Sequence, residues 1–437
     1  GPVSGKHFTI RWTGPNAVMT FSQPGSAVRY RYGQMQMKVV KGAIEVTNSL
    51  SLHDEYLWGI SEMSSAWPTA ALEAQVIANE VCARGVDEFL GDTGLPDLQG
   101  LGAALHQRAD AAMRRAIAAL PDGTWHSTLE ADGFDEAITR IACAVTIKGD
   151  TMHIDFAGSS KQVDRGINCV LNYTHAYSVY PVKCALDPFT PRNEGSYGAI
   201  TVSAPEGSIL NPRFPAACSA RQLTGHLLAG AIYKALAPIM PDKIIAECGG
   251  APTMRALFSG LDGAGDRFSQ VLFASGGMGA SPHRDGLPTT AFPTNVGAGS
   301  IEAYESVAPL VVWKKRLRAD SGGAGRFRGG LGQEVEIEVR APDEVRLSLL
   351  SDRRDHPAQG VLGGGAGGAA VIAFDDGTRP HPKSRTTVTP GTRVKLLYPG
   401  GGGYGDPAAR DPEALAADIR DGYVSPEGAA RDYGAKP

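Results

Sequence analysis

The chain has 437 residues, 42% of them hydrophobic and 20% charged, with a net charge of −4 and a sequence pI ≈ 6.2. At ~100–200 residues per domain this allows roughly two to four domains, and the near-average composition excludes wholesale disorder. No apolar run approaches the ~18–20 residues of a membrane span, since Lys234 and Pro238 interrupt the most apolar stretch, Leu227 to Met240. The acidic balance also argues against a dedicated nucleic-acid binder. Glycine is the outlier: 55 residues, against an average of about 7%. Glycine reaches backbone conformations closed to other residues and admits close approach of a backbone or ligand. So many of them predict a chain rich in tight turns, or loops shaped around a site.

The chain starts Gly1-Pro2 without methionine. We read this as a trimmed start with a tag-cleavage scar and set both residues aside. Val3 to Gly14 lacks the continuous apolar core of a signal peptide. Six cysteines (Cys82, Cys143, Cys169, Cys184, Cys218 and Cys248) are dispersed without a Cys-x-x-Cys pair. In a chain of this length they read as reduced core residues, and the expected location is cytoplasmic.

Three strand-like stretches open the chain: His7 to Trp12, Ala27 to Tyr32, and Met35 to Thr47. Six basic residues (Lys6, Arg11, Arg29, Arg31, Lys38 and Lys41) face one acid, Glu45, before position 50. That balance suits a solvated sheet face or attraction to an anionic polymer. Pro68 suits a first helical turn, and Leu72, Val76, Ile77 and Val81 recur at helical spacing, predicting a helix from Thr69 to Arg84 that Gly85 ends. A second helix fits Gly100 to Leu120, and Pro121-Asp122-Gly123 marks a turn. Ile138 to Ile147 and Thr151 to Phe156 predict an antiparallel pair around Lys148-Gly149-Asp150. Helices are expected over Asn172 to Leu186 and Gln222 to Met240. From Phe268 onward short apolar strands alternate with glycine clusters, and Glu334 to Val339 and Val345 to Leu350 alternate as strands do. This third of the chain reads as a β-domain, without the fixed period of a solenoid or propeller.

A series of stretches then carries a resemblance. It runs through Ala118 to Thr124 (AALPDGT), Ile154 to Ser160 (IDFAGSS), Asn193-Glu194-Gly195, Ala204 to Pro212 (APEGSILNP), Gly276 to Ala280 with Asp285-Gly286, Asp320 to Gly325 (DSGGAG), Pro399 to Pro407 (PGGGGYGDP) and Asp421 to Glu427 (DGYVSPE). In this order the chain from Gly85 on resembles the C-terminal half to two-thirds of the hydantoinase B subunit family. That family includes N-methylhydantoinase B, the second half of ATP-dependent 5-oxoprolinase and an acetone carboxylase subunit. The resemblance implies ATP-dependent opening of a cyclic amide such as hydantoin or 5-oxoproline, with ATP handled by an A-type partner subunit in an oligomer. It also implies a divalent metal, Mn or Zn. The family's metal motifs, of Asn-Asp-Pro-Tyr and His-His-Ala-Asp type, do not occur here. The ten histidines show no helical pair, so no metal ligand is assigned and the chain alone is expected to be weak or inactive. A carboxylase role is the nearest variant.

The first eighty-odd residues resemble another group. Ile44-Glu45-Val46, Asp54 to Gly59 (DEYLWG), Ser61-Glu62-Met63 and Trp67 to Gln75 (WPTAALEAQ) are similar to the SpoIID/LytB family. That resemblance makes Glu62 the catalytic acid of a peptidoglycan-cleaving enzyme, the rival reading. The family's Ala-Arg-Thr-Tyr continuation is here Ala78-Asn79-Glu80-Val81. A non-catalytic assembly module is the third reading.

Together these divide the chain into 1–84 (SpoIID-like), 85–267 (helix and strand) and 268–437 (glycine-rich β), an α+β protein overall. Amide hydrolysis needs an activated water and donors aimed at the developing oxyanion. Backbone amides at Gly276, Gly277, Gly279, Gly322 and Gly323 are candidates for the donors, or for cradling phosphate oxygens, with the alternative of ordinary tight turns. Glu206 and Asn211 are candidate catalytic groups that orient water, or else turn caps. Asn193, Glu194, Asp285 and Asn295 are candidate substrate-binding residues. Arg221 and His226 are others, with Glu206 or a substrate carboxylate as a partner for a buried Arg221. Glu302 and Glu305, read as a strand, face opposite sides and form no acid/base pair. Arg353-Arg354-Asp355-His356 reads as a solvated charged turn. The hairpin tips are expected to meet around one polar hollow.

Overall fold

A computed structural model describes residues 69–437 apart from 135–136, 251–253, 291, 295–296, 298 and 436–437, and the backbone of five N-terminal strands. Glu62 and Asn295 lie outside the described residues. Two compact units divide the chain, Gly1–Ala103 and Ala104–Pro437. In the first, β1 (His7–Arg11), β4 (Gln34–Val40) and β5 (Ala43–Ser49) form an antiparallel sheet, and β2 (Met19–Gln23) pairs with β3 (Ser26–Tyr30). Helix α1 (Thr69–Thr93) runs through Gly85 rather than ending there. One glycine costs only about 1 kcal/mol in a helix interior, too little to stop it. The expected boundary at 84/85 therefore falls inside a helix.

The second unit has two layers of strand-built core. In the first layer β6 (Gly123–Asp132), β7 (Ile138–Lys148), β8 (Thr151–Asp155) and β9 (Ile200–Ser203) form one sheet, antiparallel except for the parallel β8–β9 pair. Strict alternation along β7 turns Ile141, Cys143, Val145 and Ile147 inward, as the two-residue period of a strand requires. Against this sheet lie α2 (Gln99–Ala118), through Met113 and Ile117, and α4 (Gln222–Leu236), which is apolar nearly all round. Helix α3 (Leu171–Leu186) packs beside α4, where the Tyr233 hydroxyl donates to the Pro181 carbonyl at 2.9 Å. Burial pushes the Cys143 and Cys169 thiols up to about 12, as suits core cysteines.

The second layer is a sandwich of two four-stranded antiparallel sheets. One has the order β11-β10-β14-β16: β11 (Arg267–Ala274), β10 (Met254–Leu261), β14 (Val345–Leu350) and β16 (Arg385–Val388). The other has β12 (Leu310–Leu317), β13 (Gln333–Val339), β17 (Arg393–Leu397) and β15 (Val371–Phe374). Phe258, Ile337, Val345, Leu347 and Val394 meet between them in a shared core. The expected 267/268 boundary cuts β11, whose Arg267 pairs with Leu261 of β10. The Ser300–Glu305 stretch is a helix, α5 (Ile301–Val307), not a strand. Ser300 caps it by accepting from the Ala303 amide, and Glu305 accepts from the Val312 amide at 2.7 Å. Two short helices follow the sandwich, α6 (Pro412–Arg420) and α7 (Pro426–Tyr433), capped by Asp411 and Ser425.

Between the layers the glycine clusters pack backbone against backbone. Gly277 donates to Pro399, Gly401 to Gly330, Gly330 to Met278, Gly323 to Gly401, Gly365 to Ala324 and Gly403 to Gly365, at 2.7–2.9 Å. A Cβ at Gly277 would overlap the Gly330 carbonyl, and one at Gly401 the Met278 carbonyl. Segments this close leave no room for side chains, so the glycines are needed for approach rather than for turning. Gly277→Ala is expected to cost about 3 kcal/mol or more, the upper range of overpacking, read as a loss of several degrees in melting temperature. Gly263→Ala, where a Cβ meets nothing within 4 Å, serves as the control and is expected to be neutral.

Candidate functional site

The lattice does bring Gly276, Gly277, Gly279, Asp285, Gly322 and Gly323 into one neighbourhood. It does so by consuming their polar groups. The amides of Gly276, Gly277 and Gly323 donate to the carbonyls of Gly250, Pro399 and Gly401, and that of Gly279 to Cys248 Sγ. Gly322 lies against the Gly329 carbonyl. An amide already donating within the fold has no hydrogen left for an oxyanion, so the reading of Gly276, Gly277, Gly279 and Gly323 as anion donors gives way to a packing role.

Asp285 belongs to a buried ion cluster. Both its carboxylate oxygens accept from Arg410 at 2.9 Å, and its Oδ1 also accepts from the Arg328 amide. Arg328 and Arg410 converge in turn on Asp418 of α6. Burial pushes the Asp285 carboxyl up, but the Arg410 bonds and charge and the Arg328 charge outweigh it and hold it below the usual range. A carboxylate held ionised in this way anchors α6 to the lattice and does not exchange protons near neutrality.

A second cluster corrects the expected solvated turn. Asp132, 4% exposed at the end of β6, accepts from the amides of Arg354, Asp355 and His356 and from the His356 ring at 2.9 Å. Arg353 is buried with φ 70° and bonds Glu247 at 2.9 Å. Lys383 reaches the Asp132 carbonyl and, at 3.0 Å, Asp352. Burial raises the Asp132 carboxyl, but His356, the loop amides and Lys383 together bring it below the ordinary value. Its charge turns the loop inward, which a run of four charged or polar residues does not announce.

The other sequence candidates are dispersed. Glu206 is 69% exposed, 3.6 Å from Arg213 rather than beside Arg221. Asn211 donates to the Ala204 carbonyl, and its own carbonyl accepts from Gly207, so it closes a turn. Asn193 caps a short 3-10 turn that contains Glu194 and donates to Leu105. Arg221 is exposed rather than buried; it stacks on Tyr173 at 5.2 Å, and His226 lies 5.6 Å from Tyr177.

One open groove of ≈ 440 Å³ does border the lattice, its lining including Met278, Gly279, Asp242, Lys243, His283 and Asp285. Its lining mixes both charge signs with Ile244, Ile245 and Leu287. Among the described residues no three His, Cys, Asp or Glu side chains gather to hold a metal. The described residues therefore do not fit the divalent ion that the resemblance implies. No described helix is long and apolar enough to cross a membrane.

A glycine-laced two-layer body of this kind defines an α+β subunit-like scaffold. The hydantoinase B/oxoprolinase family model matches residues 63–407, and the chain belongs to that family. The match begins within the stretch read as SpoIID-like. The β subunit of caprolactamase from Pseudomonas jessenii is 31% identical over 84% of this chain and 66% of its own length. The chain spans between 53% and 67% of the lengths of three microbial relatives. A crystal structure of ATP-dependent caprolactamase from the same organism shares the fold with TM-score 0.72 at 24% identity, over 95% of this chain and 82% of that one. Acetone carboxylase does so with TM-score 0.71 at 21% identity, over 83% of this chain and 56% of that one.

Two measurements test these clusters. Asp418→Asn, which removes one of the two carboxylates that two buried arginines share, is expected to destabilise by about 3 kcal/mol in urea unfolding. Asp132→Asn is expected to lose stability at pH 7. Because the folded Asp132 value is depressed, its contribution is full above the unfolded value of ~3.9 and fades as pH falls through the folded one. The stability gap between wild type and Asp132→Asn should therefore narrow below about pH 4.

Proposed function

We propose that this chain is the body of a B-type subunit in an ATP-dependent cyclic-amide hydrolase that works with an A-type, ATP-binding partner. The carrying observation is the family match over residues 63–407, joined to the fold shared with caprolactamase. Resonance makes the amide carbonyl a poor electrophile. Phosphoryl transfer from ATP to its oxygen on the partner makes it attackable. Water then adds to the carbon, the C–N bond opens as a proton reaches nitrogen to leave an acyl phosphate, and a second water cleaves that to the carboxylate and phosphate.

In this reading the chain's contribution is a rigid wall and a groove. The lattice fixes Met278 and Gly279, and the Asp285–Arg410 bonds hold the opposite rim. The ring sits in the groove, where the exposed His283 imidazole is the candidate proton-transfer group. The lattice amides of Gly276, Gly277, Gly279 and Gly323 already donate within the fold and take no part in oxyanion binding.

The test is ATP-dependent ring opening of hydantoin, 5-oxoproline and caprolactam, assayed with the chain alone and with an A-type subunit plus a full-length B-type counterpart. The isolated chain is expected to show no turnover. His283→Gln, placed in the full-length subunit, is expected to lower kcat at least tenfold with little change in KM. Turnover by the isolated chain, or an unchanged kcat in the variant, refutes the assignment. ATP-dependent carboxylation of acetone, without amide hydrolysis, selects the carboxylase variant instead.

A further inference from the structure

The groove that borders the lattice carries two cations that the fold itself does not use. Lys243 and Arg284 both line it, and both are exposed. Among the described residues neither side chain enters an ion pair or a hydrogen bond. The acids of the lining are differently placed. Asp285 is committed to Arg410 through both its oxygens. Asp242 is exposed, a single uncommitted carboxylate beside two uncommitted cations. Much of the remaining lining is apolar, from Ile244, Ile245, Met278 and Leu287, and the volume of ≈ 440 Å³ suits a small molecule.

Both cations stand on held backbone. Ser281 closes a turn on Arg284: its amide donates to the Arg284 carbonyl, and its hydroxyl accepts from the amides of His283 and Arg284, at 3.1–3.3 Å. Beyond the turn Asp285 is fixed by Arg410, and the Gly286 amide donates to the Arg328 carbonyl at 2.7 Å. The Lys243 amide donates to the Met240 carbonyl at 3.1 Å, and Ile244 beside it is fully buried. The two charges are therefore carried on preformed loops, and binding has to order little beyond the side chains themselves. A phosphoryl group carries a charge of about −1.5 to −2 and three strong acceptor oxygens. An ammonium meets it as a point charge, and a guanidinium as a bidentate donor. In the hydrolase reading such a group sits on the carbonyl oxygen before water adds, and it stays on the acyl phosphate after the C–N bond opens. Cations beside an apolar seat suit both species.

We propose that Lys243 and Arg284 hold the phosphoryl group of the activated amide and of the acyl phosphate that follows it, with Ile244, Ile245, Met278 and Leu287 against the carbon skeleton. The assignment rests on the hydrolase reading for the source of that group. It makes the phosphorylated amide, rather than the free one, the ligand of this groove.

Isothermal titration of the full chain with cyclopentyl phosphate, cyclopentanecarboxylate and inorganic phosphate tests it without turnover. Cyclopentyl phosphate is expected to bind at least tenfold more tightly than either of the others, since the carboxylate has less charge and inorganic phosphate has no apolar body. The double variant Lys243→Gln/Arg284→Gln, changed at exposed side chains, is expected to weaken that binding at least tenfold. Arg346→Gln, an exposed β14 position outside the groove, is expected to leave it unchanged. No binding of cyclopentyl phosphate overturns the proposal. So does equal binding of the carboxylate, an undiminished affinity in the double variant, or an equal loss in Arg346→Gln. Binding as expected, with no ring opening by the assembled enzyme, keeps the phosphoryl site and defeats the hydrolase reading. Ring opening without this binding defeats the site alone.

Discussion

Backbone approaching backbone without intervening side chains is the constraint on which the Ala104–Pro437 unit depends. Ordinary cores are filled by side chains, and their spacing is set by side-chain volume. Here segments around 276–280, 321–332, 358–368 and 398–405 come close enough to exchange amide hydrogen bonds outside any regular strand. The gain is a dense set of satisfied buried polar groups, which a buried backbone requires. The cost is that a single added Cβ has nowhere to go.

Apolar side chains on the lattice segments join the neighbouring cores, Ala280, Phe327 and Tyr404 the first layer's and Tyr398 the second's. Ion clusters at its borders add to that attachment. Asp285, Arg328, Arg410 and Asp418 tie it to the C-terminal helices, while Glu247 and Arg353 tie it to the loop that wraps Asp132. Arg353 holds a left-handed backbone conformation there, uncommon for a residue with a side chain and sustained only where the surroundings over-determine it. Charged residues that would decorate a surface elsewhere are therefore structural in this fold.

This changes how the family's glycine motifs are understood in functional terms. Their amides look available in sequence, as in a phosphate-binding loop, yet in space those of Gly276, Gly277, Gly279 and Gly323 already have acceptors. Chemistry is then left to side chains, such as those that line the open groove. One fold accompanies both a caprolactamase and an acetone carboxylase.

Local patterning was enough for much of the fold. Two-residue alternation marks β13 and β14, apolar helical spacing marks α1 and α2, and the ordered glycine and Asp-Gly stretches carry the family. Those signals depend on neighbours a few residues apart, and a sequence displays them directly. Long-range partners were not legible. Glu206 and Arg221, adjacent in the chain's logic, go to different neighbours, and α5 was misread because seven residues hold too few periods to distinguish a helix from a strand. Asp132 meets Arg354 across 222 positions, and Asp285 meets Arg410 across 125. By itself the sequence determined the family, the α+β class and the abundance of glycine. Only the tertiary structure decided that the amides of those glycines are spent on packing and not held open for a ligand, because whether an amide is free depends on which distant carbonyl reaches it first.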